Sequence, residues 1–383
     1  MPIAFILTLS TVLFVAAKGN RILVTLAAVD AGAGTLQIGI MFALYGLFPL
    51  LLATYAGRVA DRFNNKLLVY CGTAGYAIAL ALPYAWPGLT ALYISSALGG
   101  LTSMLFVLAF QNLIGVLSTP QTRTRLFSWY ALGESFAHGV GPILTGLCID
   151  TYNATFTFLV MSIYTVLWLP VAYRFRHHFP EAKRSPAGTA SAVRSGRELL
   201  ALPAMRMALI TNGVVMIGFD LFNLYMPVYG SSLKFSATTI GLIIGAYGLA
   251  ATITRIILPF ASARLGERRI LMLALAVPAC AFALIPLTSS FWLLAPLAFI
   301  IGLGLGCGQP LSMVLAFNAA PEGRSAEAIA MRLAVSYGAH VFLPPLFGAF
   351  GAMLGLAPVF WICAMLLGGG ATMHRDKSPK ISK

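Results

Sequence analysis

The stretch IGIMFALYGLFPLLLATYAGRVADRFNNK, residues 38–66, decides the fold of this chain. Its first part, from Ile38 to Tyr55, is an apolar helix long enough to cross a lipid bilayer. Its second part, from Gly57 to Lys66, is a short basic loop that contains one acid, Asp61. A long apolar segment followed by a basic loop is typical of a membrane-spanning helix and its cytoplasmic end.

Most of this stretch occurs a second time, 202 residues further along the chain. IGLIIGAYGL, residues 240–249, repeats IGIMFALYGL, residues 38–47. The matched pairs are Gly39 and Gly241, Tyr45 and Tyr247, and Gly46 and Gly248. At the same spacing, His138-x-x-x-Pro142-x-x-x-Gly146 recurs as His340-x-x-x-Pro344-x-x-x-Gly348. Two separate matches at one spacing predict a duplicated six-helix unit, with a site near the membrane midplane.

The composition is that of a polytopic membrane protein. Of the 383 residues, 59% are hydrophobic and 9% are charged, and the mean hydropathy is +0.87. A soluble domain is roughly a quarter charged, and a soluble chain this apolar could not cover its own surface. The five cysteines lie in or beside apolar runs without metal-ligand spacing, so we predict neither a metal site nor a cofactor.

Apolar segments of membrane-spanning length divide the chain into two halves. We predict twelve spans, at 4–29, 36–56, 67–86, 89–110, 126–147, 153–173, 205–229, 238–258, 270–287, 291–315, 328–350 and 355–373. Residues 174–204 are charged and rich in Pro, Ala, Ser and Gly, which is typical of a linker. The predicted domains are therefore an N-terminal bundle over 1–173, a cytoplasmic linker over 174–204 and a C-terminal bundle over 205–383.

The net charge of +14 comes from loops and not from a nucleic-acid-binding face. Twenty of the 25 Lys and Arg residues lie in alternate loops and in the C-terminal tail, whereas the other loops carry only Lys234. Basic loops stay on the cytoplasmic side of a membrane, so both termini are predicted to be cytoplasmic. No basic residue precedes the first apolar run, which we interpret as a span and not as a signal peptide. We expect a monomeric, multi-pass protein of a bacterial inner membrane.

The chain resembles the transporters of the major facilitator superfamily over all twelve spans. The most specific likeness is GRVADRFNNK, residues 57–66, which is similar to the family's signature loop between helices 2 and 3, with Asn64 and Asn65 where Gly and Arg are usual. The resemblance implies an all-α membrane protein of two pseudo-symmetric bundles that works by alternating access. It also implies a gating role for Gly57, Asp61, Arg62 and Lys66, and in the second copy for Arg264 and Arg268. The alternative is that the basic residues only anchor helix ends.

A second resemblance concerns the fifth span. GVGPILTG, residues 139–146, is similar to the antiporter signature of drug/proton exporters, although Thr145 and Ala137 replace glycines of that pattern. Gly and Pro inside a membrane helix also permit bending and close helix contact. We predict kinks in the fifth and eleventh spans at Gly141, Pro142, Gly146 and Pro344.

Several charged and polar residues fall inside the apolar spans, and a charge at that depth is by default functional. In the family's layout, helices 1, 4, 7 and 10 line a central cavity and helices 2, 5, 8 and 11 flank it. The resulting candidates for substrate contact are Lys18, Arg21, Tyr45, Gln111, Asn112, Asp220, Asn223, Tyr247, Gln309 and Arg332. Arg255 and Arg332 either face this cavity or extend to the interface. The surplus of bases favours an anionic or zwitterionic substrate.

Proton coupling is predicted for Glu134, His138, Asp220 and His340. Glu134 lies near mid-membrane and is the best candidate for a proton carrier; the alternative is that it only neutralises Arg21 or Lys18. The two histidines either relay protons or join helices through hydrogen bonds. Lys18 and Asp220 are 202 residues apart, so they are expected to pair across the cavity, either transiently during transport or as a permanent structural salt bridge.

The sequence therefore favours a secondary transporter of a small organic molecule, coupled to protons, with export slightly preferred over uptake or exchange. An integral-membrane enzyme is the rival class, but no motif such as HExxH or a Ser/His/Asp set is present. A receptor or scaffold would not need paired midplane charges. A channel would not need charges that plug its interior.

The two copies of the gating loop differ at one acid, since Ala263 replaces Asp61. A carboxylate is stabilised at a helix N-terminus, so the first copy is expected to form the stronger lock. Asp61→Asn should reduce the transport rate far more than Ala263→Asn in the same proteoliposome assay. Equal effects of the two substitutions would contradict an asymmetric lock.

Overall fold

The computed structural model describes residues 2–62, 65–119, 121–175, 196–321 and 325–374. Within these ranges the chain is helical, and twelve of its helices have at least 18 residues. In chain order the helices are α1 (Pro2–Asp30), α2 (Thr35–Arg62), α3 (Asn65–Ala85), α4 (Leu89–Leu117), α5 (Arg123–Thr151), α6 (Ala154–Arg174), the short α7 (Gly196–Ala201), α8 (Pro203–Ser232), α9 (Ala237–Leu265), α10 (Glu267–Leu284), α11 (Phe291–Ala319), α12 (Ser325–Leu354) and α13 (Leu356–Met373). The all-α fold class is confirmed.

Ten of the described helices are long and apolar enough to cross a membrane. The two others of similar length are α2 and α5. The apolar described part of α2, Thr35–Leu51, is shorter than a full span, and α5 carries Glu134, His138 and Asp150 along its length. The count of twelve spans, like the cytoplasmic placement of the termini, stays a prediction.

Polar caps and glycine turns separate the helices. The Asn153 side chain accepts a hydrogen bond from the Phe156 amide at 2.7 Å at the start of α6. Ser236 accepts one from the Thr239 amide at 3.2 Å at the start of α9. Both bonds satisfy amides that a helix N-terminus leaves free. Gly266 joins α9 to α10 with a φ of 79°, a conformation that favours glycine.

Two groups of six helices pack against each other. In the first, α1 packs on α5 and α3 packs on α4 and α6; in the second, α9 and α10 pack on α11 and α10 also packs on α13. Aromatic side chains fill both interiors, with Phe106 and Phe282 fully buried. The groups meet where α5 packs along α9 and α2 along α12. Of the predicted linker, residues 176–195 lie outside the described part, and its end contains α7.

These two contacts between the groups repeat each other at the 202-residue spacing. A Cβ atom on Gly39 of α2 would overlap the Pro344 carbonyl of α12, and a Cβ on Gly241 of α9 would overlap the Pro142 carbonyl of α5. Gly146 and Gly348 form a further equivalent pair, since each lies against the main chain at the start of the partner helix. The 202-residue repeat in the sequence thus corresponds to a repeated contact between helices in the structure. In these contacts the predicted kink residues allow two helices to approach each other closely. That they also kink their helices stays a prediction.

The end of the bundle opposite the basic loops is closed by polar contacts of unequal strength. The Asp150 carboxylate on α5 accepts hydrogen bonds from the amides of Ala237 at 3.0 Å and Thr238 at 2.8 Å. Burial alone would raise the pKa of Asp150, but bonds from the start of α9 outweigh it and hold this pKa below its usual value. At the equivalent junction, Thr35 on α2 donates one hydrogen bond to the Gly348 carbonyl at 2.8 Å.

The α5–α9 contact predicts a steric penalty at Gly248. A Cβ at this position would overlap the main chain of Gly139, and overpacking of this kind costs about 1–3 kcal/mol. Gly248→Ala should therefore lower the midpoint of thermal unfolding in detergent. Gly369→Ala on α13 is the control, because no atom lies within 4 Å of its added Cβ. A Gly248→Ala protein as stable as this control would contradict the close contact.

Candidate functional site

A cavity of about 770 Å³ lies between the two groups of helices, towards the end that carries the basic loops. Its lining comes from α4, α5, α9, α11 and α12. The polar and charged lining residues are Gln111, Arg125, Ser128, Tyr130, Glu134, Arg255, Gln309 and Arg332. Arg332 lies seven residues into α12, or roughly 10 Å from the helix end at 1.5 Å per residue. The cavity therefore reaches from the predicted cytoplasmic boundary towards the middle of the membrane.

An ion pair between α1 and α5 stands at the inner part of this cavity. The Lys18 Nζ atom lies 2.9 Å from Glu134 Oε1. The Glu134 side chain is 39% exposed and that of Lys18 14%, so the carboxylate faces the cavity and the ammonium lies behind it. The helices approach closely at Gly141, where a Cβ would lie 2.6 Å from the Val15 carbonyl. Pairing offsets part of the cost of removing both charges from water.

A second, smaller space of about 40 Å³ adjoins this pair. It shares Glu134, Arg255 and Gln309 with the cavity, and its other polar lining includes Lys18 and His138. A space of this size with several polar neighbours is large enough to hold water. Water there would connect the ion pair with the histidine and with the cavity.

The two repeat-equivalent histidines have different partners. His138 on α5 is buried, and its Nε2 atom lies 2.9 Å from Asn223 Oδ1 on α8. Because the Asn223 amide nitrogen donates to the Phe219 carbonyl at 2.7 Å, the histidine is the donor to the oxygen. This bond joins the two groups of helices. His340 on α12 instead lies 2.7 Å from the Asp220 carboxylate, inside the second group.

The expected pair of Lys18 and Asp220 does not form in this structure. Lys18 pairs with Glu134 and Asp220 with His340. Although α1 and α8 touch, α1 packs more extensively on α5 and α8 on α12, and the partners come from those helices. Two residues that are equivalent in a repeat occupy matching positions in the two halves, and such positions need not be adjacent in space. The second Asp220 oxygen, Oδ2, is buried and has no hydrogen-bond partner in the described structure.

Two arginines face the cavity without a carboxylate partner among the described residues. Arg332 donates from Nη1 to Asn212 Oδ1 at 3.0 Å and to Ser312 Oγ at 3.3 Å. Arg255 donates to the main-chain oxygen of Ala131. Neutral acceptors hold both guanidinium groups in place but leave their charge uncompensated. The cavity can therefore attract a negatively charged group.

Other predicted contact residues lie away from the cavity lining. Arg21 stacks over Phe42, with its Cζ atom 5.2 Å from the ring centroid, and Asn20 donates to the Tyr45 hydroxyl at 2.7 Å. Asn112 donates to Asn65 at 3.0 Å between α4 and α3. These contacts are internal to the first group of helices, so we assign them to packing. Gln111 and Gln309 do line the cavity, and the buried Tyr247 lines the small space beside it.

The predicted gating residues are only partly described. The side chains of Gly57, Asp61 and Arg62 lie outside the described part of the structure. Lys66 is half-buried at the start of α3, and Arg264 is exposed near the end of α9. Arg268 donates from Nε to the His374 carbonyl at 3.2 Å, which ties α10 to the end of α13. The gating role of the loop stays a prediction.

Sequence reasoning missed some residues of the site. Ser312 binds Arg332, and Tyr130 lines the cavity, but neither carries a charge that marks it within an apolar span. Asp150, which lies outside the cavity at the opposite end of the bundle, was also missed, because an acid at a helix end is unremarkable in sequence. Among the described residues, no group of three His, Cys, Asp or Glu side chains could hold a metal ion.

Comparison with known proteins identifies the lineage of the chain. The sequence profile described as Major Facilitator Superfamily matches residues 3–234 and again residues 208–380. The efflux pump azaK of Aspergillus niger is 25% identical, over 91% of this chain and 80% of that protein. The class G tetracycline resistance protein of Vibrio anguillarum is 24% identical, over 73% of this chain and 72% of that protein.

The fold has a counterpart among solved structures. A crystal structure of a mutant of the nucleoside transporter NupG superposes with a TM-score of 0.80, over 98% of this chain and 99% of that chain. The sequence identity is 15%, so this likeness concerns the fold alone. The two-bundle architecture predicted from the repeat is confirmed.

The Lys18–Glu134 pair predicts a compensating double substitution. Lys18→Gln leaves a carboxylate without its partner, at a cost below the roughly 3–5 kcal/mol of a fully buried pair because Glu134 is partly exposed. The Lys18→Gln/Glu134→Gln protein should therefore be more stable in detergent than Lys18→Gln alone. Additive losses in this double-mutant cycle would show that the two side chains do not interact.

Proposed function

Because the chain belongs to the Major Facilitator Superfamily of membrane transporters, we propose that it moves a small organic anion or zwitterion by alternating access, driven by protons in the direction of export. It is a multi-pass protein of the bacterial inner membrane and not an enzyme. The substrate charge, the coupling ion and the direction of transport are the proposed features.

The charge of the cavity is the observation that carries the proposed substrate. Arg255 and Arg332 line it without a carboxylate partner among the described residues, and Arg125 lies near its mouth. The acid in the lining, Glu134, already pairs with Lys18. A base in a low-dielectric cavity draws in a counter-ion. An anionic or zwitterionic substrate supplies that counter-ion.

The ion pair supports proton coupling. Glu134 faces the cavity, where a proton can arrive through water, and it is paired with Lys18. An anion that enters beside Arg255 competes for the positive charge around Glu134. Binding of the substrate and protonation of Glu134 therefore act on the same group of charges, and transport that is coupled to protons needs such a link.

The proposed direction of transport is based on the two relatives described above. An efflux pump and a tetracycline resistance protein both match most of this chain, so we place export first. Proton-coupled uptake and organic-anion exchange remain the alternatives, since the same cavity serves either direction. A non-transporting receptor is the more distant alternative, because it has no need of an ion pair that faces the cavity.

Proteoliposomes with an imposed pH gradient test this proposal. The wild type is expected to move members of a library of organic anions and zwitterions faster when the gradient is present. Glu134→Gln should reduce this gradient-driven flux by about a hundredfold, the lower end of what a positioned proton-transfer group contributes. Exchange of labelled for unlabelled substrate should persist, since exchange needs no net proton movement.

Asp30→Asn is the matched control, because this acid lies at the exposed end of α1 and outside the cavity lining. It should transport like the wild type. Flux that ignores the pH gradient in both the wild type and Glu134→Gln would overturn the proton coupling. Preference for organic cations would overturn the proposed substrate charge.

A further inference from the structure

The cavity has an apolar side that belongs to the outer surface of the bundle. Phe127, Trp129 and Ile256 line it, together with the charged residues described above. Yet these three side chains are 36%, 53% and 55% exposed. Phe127 and Trp129 lie on α5 and Ile256 on α9, the two helices that close the bundle at this junction. The cavity thus has an exposed apolar margin at the junction of α5 and α9.

A groove on the outer surface continues from this point. It has a volume of about 370 Å³ and runs along α5 from Trp129 to Phe136, with α1 on one side and Thr252 of α9 on the other. Trp129 and Leu132 belong both to the groove and to the cavity. Trp129 and Phe136 are seven positions apart on α5, which corresponds to about 10 Å of groove. The groove and the cavity therefore form one continuous path.

The path changes from apolar to basic along its length. Leu7, Val12 and Phe136 line its outer part on α1 and α5, whereas Arg255 and Arg332 stand in its inner part. Trp129 is six residues from the start of α5, or about 9 Å along the helix axis. This is a depth at which an amphipathic ring is favoured in a bilayer. The apolar part of the path faces the acyl chains of the predicted cytoplasmic leaflet.

We propose that the transported molecule is an amphipathic anion that enters the cavity sideways from the bilayer, between α5 and α9. Its acidic group lies against Arg255 and Arg332, and its hydrocarbon tail lies in the groove beside Trp129. This inference rests on the proposed transport of an anion and adds the chemical class and the entry path. The tail remains in apolar surroundings throughout, so only the acidic group has to be rehydrated or paired inside the protein.

Two sulfonates of different chain length test this inference, because a sulfonate stays ionised and the chain length alone then varies. Binding of radiolabelled butanesulfonate and decanesulfonate is measured on the protein in lipid nanodiscs, with empty nanodiscs subtracted. The wild type should bind decanesulfonate at least about tenfold more tightly, which corresponds to two buried methylene groups. Trp129→Gln should remove about tenfold of this preference, because it weakens binding of the long-chain sulfonate more than that of the short-chain one.

Two further variants separate the groove from the cavity. Trp292→Gln is the matched control, because this tryptophan is 80% exposed and lies outside the path; it should bind both sulfonates like the wild type. Arg255→Gln should weaken both sulfonates, since both carry the same acidic group. If the wild type binds neither sulfonate, the proposed anion transport fails; if it binds both equally, only the sideways entry fails.

A fluorescence measurement keeps the inference testable should Trp129→Gln fold poorly. The difference in tryptophan fluorescence between the wild type and Trp129→Phe reports Trp129 alone. Brominated lipids should quench this difference signal, and decanesulfonate should relieve the quenching while butanesulfonate does not. A signal that brominated lipids leave unchanged would show that Trp129 does not face the bilayer and would overturn the proposed path.

Discussion

The cost of a charge inside a bilayer is the constraint on which the centre of this protein depends. A side chain that is ionised at that depth needs a partner, water or a substrate of opposite charge. Lys18 and Glu134 form an ion pair across α1 and α5, and one oxygen of Asp220 contacts His340 across α8 and α12. Arg255 and Arg332 have only neutral acceptors. The arrangement leaves the positive charge of two arginines in the open cavity.

Much of the fold could be predicted from the 202-residue spacing of the sequence repeat. It matched Gly39 with Gly241 and Pro142 with Pro344, and the structure joins these residues as two copies of one helix contact. The same spacing failed to predict the ion pairs. Partner choice depends on which helices are neighbours and on where each long side chain points, and a repeat in sequence encodes neither. The stacking of Arg21 over Phe42 shows the same limit, since a charge in an apolar span can serve packing.

The sequence left two observations in conflict, a partial drug-antiporter signature on the fifth span and a surplus of bases. The path along Trp129 offers a physical reconciliation. An amphipathic anion would suit both observations, since its apolar part fits the groove and its acidic group would account for the arginines. The two histidines sharpen this view of the site. One joins the two groups of helices through Asn223 and the other sits inside one group with Asp220, so the halves have diverged in role while keeping a common frame.

The contacts between α2 and α12 and between α5 and α9 are made by glycine against main chain. Main-chain atoms are the same whatever the side chains are, so these helix contacts depend little on which residues occupy the rest of the protein. The glycines that hold the two groups of helices together and the side chains that line the cavity are thus different residues, although α5, α9 and α12 carry both. An exchange of a few cavity side chains would leave this helix frame in place.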